Sequence, residues 1–232
     1  MTNKREDRRP KATEDQVRND PAALYDADYY AEGYATDSED AYGRHGEWLA
    51  FFANSAHHIR GQIGPKSAMD VGCAFGMLVE AMCDLGIDAY GVDISPYAIS
   101  QARKDMTGRL QEGSLLEGVP MNGLEKYDLV ICTEVLEHLL PEDAEKAVAS
   151  LCAAGHRILF SSSPDDFEEP THFNVLPTSE WLRLFEAQGF HQNTTINADF
   201  VAPHAFVVEN KAAHTMRKDK WYRKVKRVLR GK

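Results

Sequence analysis

The chain has 232 residues, 43% hydrophobic and 27% charged, with a formal net charge of −10. That balance suits one globular domain with a full core plus extensions. It holds no apolar run near the ~18–20 residues of a membrane span, and the acidic body argues against broad nucleic-acid binding.

Residues 1–20 open with "MTNKREDRRPKATEDQ", too charged for a secretory signal and too poor in apolar residues to order itself, so this segment is expected to be disordered. Residues 21–64 read as a cap or lid. Within them "YDADYYAEGYATDSEDAY" carries five of the nine tyrosines among many acids. "GEWLAFFANSAHHIRGQI" then has helical spacing that turns Trp48, Phe51, Phe52 and Ala56 toward a core.

From Ser67 strands and helices alternate. "SAMDVG" is a strand and "GMLVEAMCDLG" a helix closed by Gly86. "DAYGVD" is a strand, followed by the helix "SPYAISQARK" with Ser95 at the N-cap and Pro96 at N1. "GRLQEG" and "KYDLVICT" are strands, "PEDAEKAVASLCAAG" a helix, and "HRILFSSS" a strand. "PTSEWLRLFEAQG" is a helix with Thr178 as N-cap and Gly189 as its stop. "FHQNTTIN" and "HAFVVEN" are two final strands close enough to pair antiparallel. The expected fold is α/β: a Rossmann-like, doubly wound, mostly parallel seven-stranded sheet with an antiparallel last strand, spanning 65–211. Ligands of such sheets bind beyond the carboxyl ends of the strands.

The first strand runs into "DVGCAFG", with Asp70, Gly72 and Gly76, and the second ends at Asp93. Glycines allow a tight turn and a close ligand approach, and an acid at the second strand end can accept from both ribose hydroxyls of an adenosine. The spacing is not the G-x-G-x-x-G of a dinucleotide site, and no G-K-[ST] is present. A carboxylate just before the turn repels phosphate and attracts an ammonium group. The charge logic favours a cationic, phosphate-free nucleoside, S-adenosylmethionine.

"MDVGCAFGMLVEAM", "YGVDISPYAISQAR", "QEGSLL" and "YDLVICTEVLEHL" resemble, in order, the motifs of class I S-adenosylmethionine-dependent methyltransferases over roughly 67–210. The resemblance implies that Gly72, Cys73, Ala74 and Gly76 line the methionine and ribose portion. Asp93 would hold the ribose with Ile94 against the adenine, Ser114 and Leu115 would edge the adenine, and Thr133 would lie beneath the sulfonium. Arg44 is placed to meet the methionine carboxylate.

In "TEVLEHL", Glu134, Glu137 and His138 are spaced i, i+3, i+4, which on a helix is one face. Such a set can ligate Mg²⁺ or Mn²⁺, with His172 from "EEPTHFN" as a fourth ligand. The layout looks like the metal site of small-RNA 2′-O-methyltransferases and, in part, of ubiquinone-pathway O-methyltransferases. The alternatives are that His138 is a metal-free proton acceptor paired with a catalytic Glu137, or that these residues only pack and His172 anchors its loop. Tyr30, Tyr34 and Tyr42 either stack on an acceptor ring or cover the sheet edge.

The tail, 212–232, puts nine Lys/Arg and one Asp between Arg217 and Lys232. It reads as a basic amphipathic helix suited to an anionic membrane or polymer, or to packing on its own domain. The four cysteines, Cys73, Cys83, Cys132 and Cys152, are dispersed and form no CxxC pair, so a reducing, cytoplasmic setting is expected and zinc is disfavoured. The sequence-level expectation is methyl transfer to a hydroxyl of a saccharide or small metabolite. RNA ribose methylation and a non-catalytic S-adenosylmethionine-binding module are the alternatives.

Overall fold

Apolar runs of alternating facing build the centre of the molecule. In the computed structural model, which describes residues 10–32 and 42–210, the strands are β1 (Ser67–Val71), β2 (Asp88–Asp93), β3 (Leu110–Glu112), β4 (Leu129–Thr133), β5 (Arg157–Ser161), β6 (His191–Gln192) and β7 (Phe206–Glu209). They form one sheet in the order β3-β2-β1-β4-β5-β7-β6. The first five strands are parallel, and β7 runs antiparallel to both β5 and β6. β1 lies between β2 and β4, so the chain reverses its winding there and opens a crevice at the carboxyl edge.

The period of two along each strand sorts side chains onto two faces. Met69, Val130, Cys132, Ile158, Phe160 and Val208 point to one side, against α6 (Ala144–Ala154) and α7 (Thr178–Ala187). Ala68, Leu129, Ile131, Leu159 and Val207 point to the other, against α3 (Gly46–His58) and α4 (Met77–Asp84). Both faces are therefore covered. That explains why the central strands read as unbroken apolar runs.

Several expectations need correction. Within the expected disordered segment, Glu14–Asn19 form a helix, α1, because Thr13 and Gln16 make a reciprocal capping box and Ala12 N–H donates to the Pro170 carbonyl at 2.9 Å. Residues 1–9 lie outside the described residues. A second short helix, α2 (Ala27–Glu32), follows. α5 (Pro96–Ser100) keeps Ser95 as its cap, whose Oγ accepts from Ala98 N–H at 2.9 Å, but it stops well short of Arg103. The Arg103 fork instead grips Asp84 at 2.8 and 2.7 Å. Thr178 is the first residue of α7 rather than its cap, which is Pro177. The "FHQNTTIN" strand shrinks to two residues. Phe51 is 38% exposed, while Ala56 and Ile59 take the buried face of the α3 segment. The basic tail and Tyr34 lie outside the described residues. Among the described residues no helix is long and apolar enough to cross a membrane.

Candidate active site

The crevice holds two adjoining cavities of about 710 and 440 Å³. The larger is lined by Gly72, Ala74, Asp93, Ile94, Ser114, Leu115, Glu134 and His138, and roofed by Val17, Arg18, Tyr25, Tyr29 and Tyr30. The smaller is lined by Asp70, Gly72, Cys73, Ala74, Thr133, Glu134 and Ser161 on the sheet side and by Tyr42, Trp48, Phe51 and Phe52. Gly72, Ala74 and Glu134 form the boundary the two share.

Gly72 sits at φ +75, and a Cβ there would lie 2.3 Å from Val135 Cγ2. Only glycine lets the turn after β1 pass so close to the turn after β4. Ala74 also adopts a positive φ, +46. Its N–H donates to Asp93 Oδ2 at 2.7 Å, and Ser95 N–H donates to Asp93 Oδ1 at 2.8 Å. Burial pushes the Asp93 carboxyl up, and these backbone donors pull it back. Each carboxylate oxygen still has a lone pair to offer a hydroxyl. Gly76 lines neither cavity; it starts α4 at φ +68, with Leu110 Cδ1 2.3 Å from where a Cβ would be. Arg44 is likewise turned away, paired at 2.6 Å with Glu80 of α4.

Asp70, at 4% exposure, has no hydrogen-bond or ion-pair partner for its carboxylate among the described residues. Burial, reinforced by Asp93, raises it to about 7. The folded state therefore holds this proton more tightly than the unfolded chain. The penalty is full above pH 7 and fades as pH falls through 7 toward the unfolded value near 4. Asp70→Asn is expected to raise the thermal midpoint at pH 8 and to lose that gain at pH 4, the relieved penalty being at most about 4 kcal/mol. Melting curves at the two pH values check this.

The Glu-x-x-Glu-His turn departs from the expected helix face. Glu134 has φ +53, and only Leu136–His138 form a single 3₁₀ turn. Glu134 stands outside the ligand cluster: its carboxylate pairs with that of Glu137, and its Oε1 meets His204 Nε2 at 3.0 Å. His204, from the loop before β7, had no sequence signal. Glu137 is fully buried and does not line the larger cavity. Burial, then the neighbouring Glu134 carboxylate, hold its acid well above the ordinary range, and its Oε2 lacks a hydrogen bond of good geometry among the described residues.

The structure does bring Glu137, His138 and His172 together: each offers a ligand atom, all within 4.8 Å of one another. The two rings meet edge to face at 4.7 Å. His172 Nδ1 lies 2.7 Å from the Asp166 carbonyl, which only accepts, so that nitrogen carries the proton. His138 Nδ1 is occupied by Thr171 Oγ1 at 2.8 Å. Burial, then His172, lower His138 to about 3, so its ring is neutral at physiological pH.

The family described as "Methyltransferase domain" matches residues 69–155. A protein of Bordetella avium (strain 197N) named ubiquinone biosynthesis O-methyltransferase is 34% identical over 124 residues, 50% of this chain and 47% of its own length. One of the same name from Azoarcus sp. (strain BH72) is 31% identical over 147 residues, 60% of this chain and 59% of its own. The chain thus spans about half the length of these relatives. The crystal structure of magnesium protoporphyrin IX methyltransferase from Synechocystis PCC 6803 with bound SAM superposes with a TM-score of 0.57 at 17% identity, over 85% of this chain and 97% of that one. At that identity the likeness speaks for the fold.

Proposed function

We propose, on the premise that residues 69–155 form a class I S-adenosylmethionine-dependent methyltransferase domain, that this chain moves the methyl group of S-adenosylmethionine to a hydroxyl oxygen of a small acceptor. The observation that carries the reading is that the glycine turn, Asp93 and His138 all face one cavity. The acceptor oxygen attacks the methyl carbon, the carbon–sulfur bond breaks, and the hydroxyl proton leaves. S-adenosylhomocysteine and a methyl ether result. The relatives named as O-methyltransferases support oxygen as the methylated atom.

The residues suit the methyl donor. Asp93, Ile94, Ser114 and Leu115 all line the larger cavity, where Asp93 would take the ribose hydroxyls and the other three would edge the adenine. Glu134, with Asp70 about half ionised at neutral pH, sets negative charge along the smaller cavity, which no basic side chain lines among the described residues, opposite the donor's ammonium and sulfonium. Val17 and Arg18 of α1 and Tyr25, Tyr29 and Tyr30 line the same cavity and narrow the access of water to it. The five carboxylates lining the larger cavity, Asp93, Glu112, Glu117, Glu134 and Asp143, outnumber Arg18 and Lys146. That balance disfavours an RNA strand and favours a neutral acceptor, a catechol or a saccharide diol.

Proton handling favours the ligand role over the base role for His138. A ring lowered to about 3 is a poor base at pH 7, costing about 5 kcal/mol relative to a matched one. The same ring is a good ligand, since it is neutral and its Nδ1 is tied down. The buried Glu137 carboxyl beside two imidazoles fits a divalent ion, whose charge would make a bound hydroxyl more acidic. With Glu134 withdrawn, two nitrogens and one carboxylate suit Mn²⁺ better than the oxygen-preferring Mg²⁺.

With labelled S-adenosylmethionine and catechol as probe, chelator is expected to abolish transfer and Mn²⁺ to restore it more fully than Mg²⁺. Full transfer in chelator overturns the metal-assisted version. The absence of label in catechol, in a saccharide diol and in a host extract overturns the methyl-transfer reading.

A further inference from the structure

The loop between β5 and α7 carries a hydrogen-bonded chain directed at His138. Thr171 Oγ1 donates to Glu169 Oε2 at 2.8 Å, and the Thr171 N–H reaches the same oxygen. A carboxylate only accepts, and a threonine hydroxyl has a single proton. Once that proton is committed to Glu169, Oγ1 has only lone pairs to present to His138 Nδ1, 2.8 Å away. The imidazole nitrogen must therefore be the donor. This leaves Nε2 as the nitrogen with the free lone pair; among the described residues the ring's partners are the Thr171 hydroxyl at Nδ1 and the nearby Thr171 carbonyl, both from the same residue.

We propose that Thr171 and Glu169 are positioning residues: the chain Glu169–Thr171–His138 locks His138 as the Nδ1–H tautomer, so that Nε2 presents its lone pair at the reacting end of the cavity. Thr171 is 2% exposed, and the loop is pinned from both sides. The Phe173 and Asn174 N–H groups donate to the Glu137 carbonyl at 2.8 and 2.9 Å, and the Ala12 N–H donates to the Pro170 carbonyl. The hydroxyl is held between the Glu169 carboxylate and the ring, and the carboxylate takes its proton. Tyr25 packs against His138 edge to face at 5.7 Å. The functional weight of this chain rests on His138 facing the reacting oxygen; the tautomer itself does not.

The test is a nitrogen-15 spectrum of the histidine-labelled resting protein, with His138 assigned by its absence in His138→Ala. The native protein is expected to show a protonated Nδ1 and an unprotonated Nε2 for His138. Thr171→Val, which removes the acceptor, and Glu169→Ala, which frees the hydroxyl to donate to the ring, are each expected to move the population toward Nε2–H. Thr171→Ser is expected to keep the native pattern. Methyl transfer to catechol should fall about 10- to 100-fold in the first two variants and recover in the third.

Melting midpoints identify any variant that fails to fold; the native spectrum and Glu169→Ala then carry the test without Thr171→Val. A native His138 with Nε2–H, or a folded Glu169→Ala with unchanged tautomer, overturns the inference. Because the tautomer is read without methyl donor or acceptor, a protein that shows it but transfers no methyl group overturns only the activity.

Discussion

Asp93→Ala is expected to weaken S-adenosylmethionine binding by at least about 100-fold. Its two oxygens already fix the Ala74 and Ser95 N–H groups at 2.7 and 2.8 Å, which places the carboxylate at the mouth of the larger cavity with lone pairs to spare. A hydrogen bond to a charged group is worth about 1.5–3 kcal/mol, and two ribose hydroxyls bring the loss to about 3–5 kcal/mol. The substitution also orphans two backbone donors, so the melting point should fall as well. Asp93→Asn keeps an oxygen acceptor and should lose less of both. Calorimetry well below each variant's melting point separates binding from folding. A folded Asp93→Ala that binds within about threefold of the native protein would remove Asp93 from the ribose site.

His138→Ala is expected to act on turnover instead. The ring lines the cavity beside Val135 and Leu139, and its Nδ1 is spent on Thr171. If His138 handles the acceptor proton as proposed, directly or through an ion it holds, its loss should lower kcat by about 10²- to 10⁴-fold. Affinity for S-adenosylmethionine should stay within about threefold, because the proposed adenosine contacts belong to Asp93, Ile94, Ser114 and Leu115, which line the cavity apart from the ring. A fall in affinity with kcat preserved would reverse this division between the donor half and the acceptor half of the cavity.

The donor half was the more legible in the sequence. A glycine at a strand end, an acid at the next strand end and a serine cap are each one-residue solutions to a local geometric demand. Their positions could be read from strand periodicity alone. Gly72, Asp93 and Ser95 stand where that logic puts them. Gly76 did not follow, because its demand is packing against Leu110 rather than contact with a ligand. Arg44 was free in sequence but is claimed by Glu80, a helix away.

The acceptor half depends on backbone departures that no periodicity encodes. The positive φ at Glu134 breaks the one-face arrangement implied by i, i+3, i+4 spacing and sends that carboxylate to His204, 70 residues later. Glu169 and Thr171 lay in view in "EEPTHFN", yet their role depends on which hydroxyl proton points where. Contacts of that kind are set by tertiary packing, and only the structure brings them together.

The account rests most directly on the ligand class of the crevice, and calorimetry on the native protein settles it. S-adenosylmethionine and S-adenosylhomocysteine should both bind, and a nicotinamide dinucleotide should not, because its pyrophosphate would face Asp70, Asp93 and Glu134. Tight binding of the dinucleotide with no heat from either sulfur nucleoside would contradict the account.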